Sequence, residues 1–175
     1  MEAWLERVVI AEGFCPFAAR PRADDEVYLE ASGGSVDVVL EQLGRRCAQM
    51  RSNPSPATTL LTLTAVAFAD FDRFLDLLPL AETVVEEFGG SALTLASFHP
   101  RFRFGGLPPD DIAHYIHRAP WPTLHLLRAG TLARVAERHP DIAAIPKRNR
   151  ARAEALGKAF FTALTRSGRG RSQGE

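Results

Sequence analysis

Residues 35–66 read SVDVVLEQLGRRCAQMRSNPSPATTLLTLTAV, and the change of period inside this stretch decides the fold class. Ser35 is suited to cap a helix. Behind it Val36, Val39, Leu40, Leu43, Cys47 and Met50 recur at i, i+3, i+4, i+7, i+11 and i+14, the apolar stripe of an amphipathic helix. Cys47 lies on that stripe and is expected as a buried structural thiol. Asn53, Pro54, Ser55 and Pro56 break the chain. From Thr58 to Val66, Thr, Leu and Val dominate, which predicts a central strand.

The same alternation continues outward. Upstream, Trp4 and Val8, with Leu5 and Val9, share one face of a helix over Glu2–Ala11 that Gly13 and Pro16 end. Residues 18–25 read as a polar loop, and Glu26–Ala31 as a short first strand before the Ser32–Ser35 turn. Downstream, a helix starts at Ala69, is interrupted at Pro79 and resumes to Phe88, where Gly89 and Gly90 stop it. Ala92–Phe98 is the third strand. His99–Gly106 is a loop, Asp110–Ile116 a short helix, and Thr123–Arg128 the fourth strand after the Pro120–Pro122 break. Helices follow at Thr131–Arg138 and Lys147–Thr165, and a Gly- and Ser-bearing tail, 166–175, is expected to be disordered. About four strands alternating with helices predict a single layered α/β domain over residues 1–165. Periodicity does not reveal the strand order.

Composition narrows the function. The 175 residues carry 21 Lys and Arg against 21 Asp and Glu, so the formal net charge is zero. This argues against a nucleic-acid binder with a broad basic surface. The charge is uneven: eight basic side chains from Lys147 onward face only Glu154 and Glu175. A patch for an anionic partner is one reading of that, and a solvated helix face the other. Two cysteines make no disulfide framework. No apolar run spans a bilayer, and the start Met-Glu-Ala-Trp-Leu-Glu-Arg lacks the features of a signal peptide. The expected compartment is a reducing cytoplasm. There is no Gly-rich phosphate loop.

The candidate chemistry lies between Ser97 and Arg128. Four of the five histidines, His99, His114, His117 and His125, fall in this stretch. Imidazole titrates near neutrality and is the commonest metal ligand. His114 and His117 are three apart on a predicted helix and can reach one ion. His125 sits on the fourth strand, facing away from Leu124 and Leu126, and His99 just past the third. With Asp110 or Asp111 these histidines suggest a site for iron, copper or zinc, and less readily for a haem. Arg118 and Arg128 suit an anionic substrate, and Tyr115 and Trp121, with Phe102 and Phe104, an apolar wall. Cys15, before Pro16 and Phe17, is a nucleophile if a helix starting there lowers its pKa. Each group also has a structural reading: surface or core histidines, salt-bridging arginines, core aromatics, and a buried inert Cys15.

Several of these residues fall into a recognisable set. The run Trp4-Leu5, Phe14-Cys15-Pro16-Phe17, Ala96-Ser97-Phe98-His99-Pro100, then Tyr115, Arg118, Pro120, Pro122 and His125-Leu126-Leu127-Arg128, then Ile145-Pro146 and Asn149, resembles bacterial domain-of-unknown-function family 1415. The resemblance extends to about residue 157. It implies a small cytoplasmic bacterial protein with no established reaction. Cys15, His99, Arg118, His125 and Arg128 match the family pattern. His114 and His117 stand where it has Asn, Ala119 where it has Ser, and Trp121 where it more often has Tyr.

Three functions remain open. The first is an enzyme for a small, anionic molecule at a His-bound metal, with His99, His114, His117 and His125 as ligands or acid–base groups. The second is a metal-free thiol enzyme, Cys15 acting with His99 or His125 as base. The third is a non-catalytic protein-binding module. A small-molecule substrate, no nucleic acid and no membrane are the expected partners, with oligomeric state open.

Overall fold

Every residue of β2 (Thr58–Leu63) is buried, so both faces of this strand are covered and its alternate side chains enter two different layers. The computed structural model describes residues 1–138 and 141–167. It holds a four-stranded mixed sheet in the order β1 (Val27–Ser32), β2, β4 (Thr123–Arg128), β3 (Leu93–Phe98). β1 and β2 pair in parallel, and β4 is antiparallel to both β2 and β3. The register places Leu60, His125 and Ala96 side by side on one face. The chain is an α/β fold whose helices and strands alternate, as the periodicities predict.

One face carries α3 (Val36–Ser52) and α4 (Phe71–Gly89). Val39, Leu43, Cys47 and Met50 of α3 meet Leu61, Leu63, Leu124 and Leu126 of the sheet in a continuous core. The opposite face carries α1 (Glu2–Trp4), its π-helical continuation Leu5–Ile10, and α7 (Ile145–Ser167). Trp4, Leu5, Val8 and Val9 pack there with Leu60 and Phe161 in a second cluster. Three shorter helices, α2 (Ala19–Ala23), α5 (Ala113–Ile116) and α6 (Ala129–Arg138), complete the chain.

Several boundaries differ from the sequence reading. Residues 18–25 hold α2 rather than only a loop, because Pro21 falls in a first turn whose N–H groups lack intrahelical partners anyway. α4 runs unbroken through Pro79. Pro79 is exposed, so the carbonyl it leaves without a helix partner lies on the solvent side, and Thr83 Oγ1 donates to the Pro79 carbonyl at 3.0 Å. Thr64–Val66 lies outside β2, and a 3-10 turn follows at Val66–Ala69. α7 changes direction at Gly157, whose φ of 74° only glycine adopts freely. The expected disordered tail lies, from residue 168 on, outside the described residues. Among the described residues, no helix is long and apolar enough to cross a membrane.

Candidate functional site

A cavity of about 350 Å³ opens between the sheet and the N-terminal segment, on the face opposite α3 and α4. Such a volume is within the usual range for small-molecule sites, roughly 300–1,000 Å³. His125, Leu60 and Ala96 of the sheet line it, and so do Trp4, Phe14 and Phe98. Its few polar lining groups include Cys15, Thr58, His117, His125, Arg128 and Asn149. The cavity brings residues more than a hundred positions apart, Cys15 and His125, to one space.

The turn that presents Cys15 is built locally. Gly13 takes φ 68° at the end of the π-helical segment and lets the chain reverse. Asn149 Nδ2 of α7 then donates to the Phe14 carbonyl at 2.8 Å, and Arg152 pairs with Glu12 beside it. No helix starts at Cys15, since α2 begins at Ala19. Burial pushes the Cys15 thiol above its ordinary value, and the amides of Phe17 and Ala18, which favour the thiolate, do not offset it. Cys47 is pushed up by burial to about 11. Both cysteines are free thiols.

His125 is held by one side chain. Thr58 Oγ1 donates to the Leu126 carbonyl at 2.7 Å. A hydroxyl has one proton, so the 2.6 Å contact between Thr58 Oγ1 and His125 Nε2 is donation from Nε2–H. Neutral His125 is therefore the Nε2–H tautomer, and its Nδ1 keeps a lone pair. Burial lowers its pKa to about 4, so the ring is uncharged at neutral pH.

The other histidines separate by role. His99 lies fully buried on the opposite side of the sheet, against Phe71 and Phe74. Its Nδ1 accepts from the Arg101 N–H and its Nε2 donates to the Phe68 carbonyl, both at 3.0 Å. His114 repeats the pattern: Nδ1 accepts from the Phe104 N–H at 3.1 Å and Nε2 donates to the Pro108 carbonyl at 2.7 Å. Both rings brace the loop from residue 99 to residue 113 and keep no free lone pair for a metal. His117 does line the cavity, stacked on Phe98 and Phe102, and burial lowers its pKa. The four histidines thus do not converge. Among the described residues no group of three or more His, Cys, Asp or Glu is placed to hold a metal ion. Asp110 and Asp111 instead pair with Lys158 and Arg150 of α7.

The expected substrate-binding residues also scatter. Arg128 lines the cavity, but its three guanidinium nitrogens donate to the carbonyls of Pro56, Met50 and Asn53 at 3.0, 2.7 and 2.6 Å. It clamps the turn before β2. Arg118, Tyr115 and Trp121 are not part of the cavity wall. The Arg118 guanidinium lies 3.9 Å from the Tyr115 ring centre and donates to the Phe102 carbonyl.

Residues 1–163 match the family described as Protein of unknown function (DUF1415). The chain belongs to this family. No curated protein and no solved structure matches it. All the cavity-lining residues lie within the span of the DUF1415 match. Sequence reasoning missed two groups in this DUF1415 chain that organise the site, Thr58 and the hydrogen-bonding role of Asn149. Thr58 reads as an ordinary strand threonine, and only the β2–β4 register places it beside His125.

Proposed function

We propose that the protein is a metal-free thiol enzyme acting on a small molecule, with Cys15 as nucleophile and His125 as base. The observation that carries this reading is the shared cavity: Cys15 and His125, an imidazole whose Nδ1 lone pair is unengaged among the described residues, both line it. The metal reading lacks a comparable set, because the ring nitrogens of His99 and His114 are already engaged.

The resting pair is neutral, since burial disfavours both the thiolate and the imidazolium. Proton transfer and attack therefore belong to one step. For an ester, the thiol proton passes to Nδ1 of His125 as sulfur bonds to the acyl carbon. The carbon–oxygen bond to the leaving group breaks, and the leaving oxygen takes the proton from Nδ1. Water activated by the same Nδ1 then cleaves the thioester and restores the thiol. Asn149 keeps the Cys15 turn in place and Thr58 keeps Nδ1 unprotonated. Two free thiols fit a reducing, cytoplasmic setting.

The test uses p-nitrophenyl butyrate, acid quenching and intact mass. The expected result is one butyryl group, on Cys15, absent in Cys15→Ala and formed about a hundredfold more slowly in His125→Gln. A butyryl group on another residue, or equal rates with and without His125, rejects the proposal.

A further inference from the structure

The cavity has few charges. Among the described residues, Arg128 is its one lining residue with a permanent charge, and no carboxylate lines it. That guanidinium already donates to three backbone carbonyls. The two histidines of the wall are both disfavoured as cations by burial. Arg118, the other arginine suited to an anion, lies outside. A carboxylate or phosphate entering this space loses its hydration and gains no dedicated counter-charge, which is a large penalty.

Two lining residues carry an unmet hydrogen-bonding group, and one of them is a donor: the buried Trp4 Nε1–H has no partner among the described residues. Thr58 Oγ1 is occupied both as donor and as acceptor. Nδ1 of His125 keeps a lone pair that no donor meets among the described residues, and His125 lines the cavity. An unmet acceptor and an unmet indole donor in a largely apolar lining favour a ligand group that both donates and accepts, because either one left unmet is costly.

We infer that the cavity binds an uncharged, predominantly apolar molecule through one hydroxyl or N–H group donated to Nδ1 of His125. This rests on the reading of the cavity as the working site, and it does not need the thiol step. The sequence-based expectation was an anionic substrate. The inferred ligand carries no charge. It is also what the proposed step leaves behind, since the proton returned by Nδ1 creates an O–H on an apolar leaving group.

Three probes of similar size separate the possibilities: 1-octanol, its isomer 1-methoxyheptane, which has no donor, and octanoate. Trp4 lines the cavity and Trp121 does not, so the emission of Trp4 in a Trp121→Phe background reports occupancy. The expected order is octanol tightest, with octanoate weaker by tenfold or more, on the order of 1.4 kcal/mol. The ether should bind severalfold more weakly than octanol, and His125→Phe should abolish that difference. Octanoate binding as tightly as octanol overturns the inference, and so does an ether equal to octanol or no binding of any probe. Ala96→Phe fills the space beside His125 and should remove octanol binding; binding that persists overturns the assignment. A measurement on the unaltered chain stands beside these variants. The 15N resonance of His125 Nδ1 should move upfield with octanol, and a static resonance in a saturated sample contradicts the contact. Octanol binding without acylation of Cys15 would remove the thiol step alone. Acylation with octanoate preferred would remove this inference alone.

Discussion

Backbone groups set the form of three of the four histidines between residues 99 and 125. At His99 and His114 an N–H donates to Nδ1 directly; at His125 the Leu126 carbonyl accepts the Thr58 proton, which leaves Thr58 Oγ1 to accept from Nε2–H. The consequences differ. His99 ties Phe68 to Arg101 across 33 positions, and its loss leaves a carbonyl and an N–H without their partner. His99→Ala should therefore lower unfolding free energy by about 2–4 kcal/mol while octanol binding by the folded protein survives. Urea titration beside the fluorescence assay checks both; a stable variant that loses binding would move His99 into the site. Thr58→Val should cost about 1–2 kcal/mol and release His125 from a single tautomer, visible in the 15N spectrum of its ring. The clustering of histidines was visible in the sequence, but their roles were not. Their partners are carbonyls and amides, whose positions leave no trace in residue identity, and the one side-chain partner, Thr58, is 67 residues from His125.

Among the elements, those with a clean period were legible and those fixed by tertiary contact were not. α3 and β4 lie where their apolar spacing puts them. β4 sits between β2 and β3, out of chain order, because long-range pairing decides strand order and each strand alone fits any neighbour. Pro79 is a break signal in the sequence, yet the solvent face of α4 tolerates it. Asp70 caps that helix, accepting from the N–H groups of Asp72 and Arg73 at 3.1 Å. Asp70→Ala should cost about 1 kcal/mol in a denaturant titration. Arg128 has the chemistry of a substrate anchor but joins β4 to the end of α3 and to the turn before β2. Its planar fork makes all three contacts at once, so Arg128→Lys should destabilise nearly as much as Arg128→Ala, by about 2–4 kcal/mol. A fully stable lysine variant would return Arg128 to the role of ligand anchor.

At the scale of the whole molecule, the sheet separates a packed core from a face that keeps an open space. α3 and α4 fill one side; the π-helical segment, the Cys15 turn and α7 arch over the other. This asymmetry has a pH signature. An unfolded histidine takes up its proton near pH 6.5, whereas His125 in the fold resists until about 4. Between those values the unfolded chain binds more protons, so stability is complete above the window and falls as pH drops through it. His117, lowered by burial as well, acts in the same direction. The loss from His125 by pH 5 is at most about 2 kcal/mol, since its ring reaches the cavity. Urea titrations at pH 7 and pH 5 should show a drop that His125→Gln reduces, and equal slopes in both proteins would contradict a neutral buried ring.

The central claim is that Cys15 and His125 work as a pair, and the most direct test is the alkylation rate of Cys15 by iodoacetamide in native protein at neutral pH. The account predicts a single adduct on Cys15 with Cys47 untouched, formed at least about tenfold more slowly in His125→Gln. Equal rates in the two proteins, or alkylation of Cys47 alongside Cys15, would contradict it.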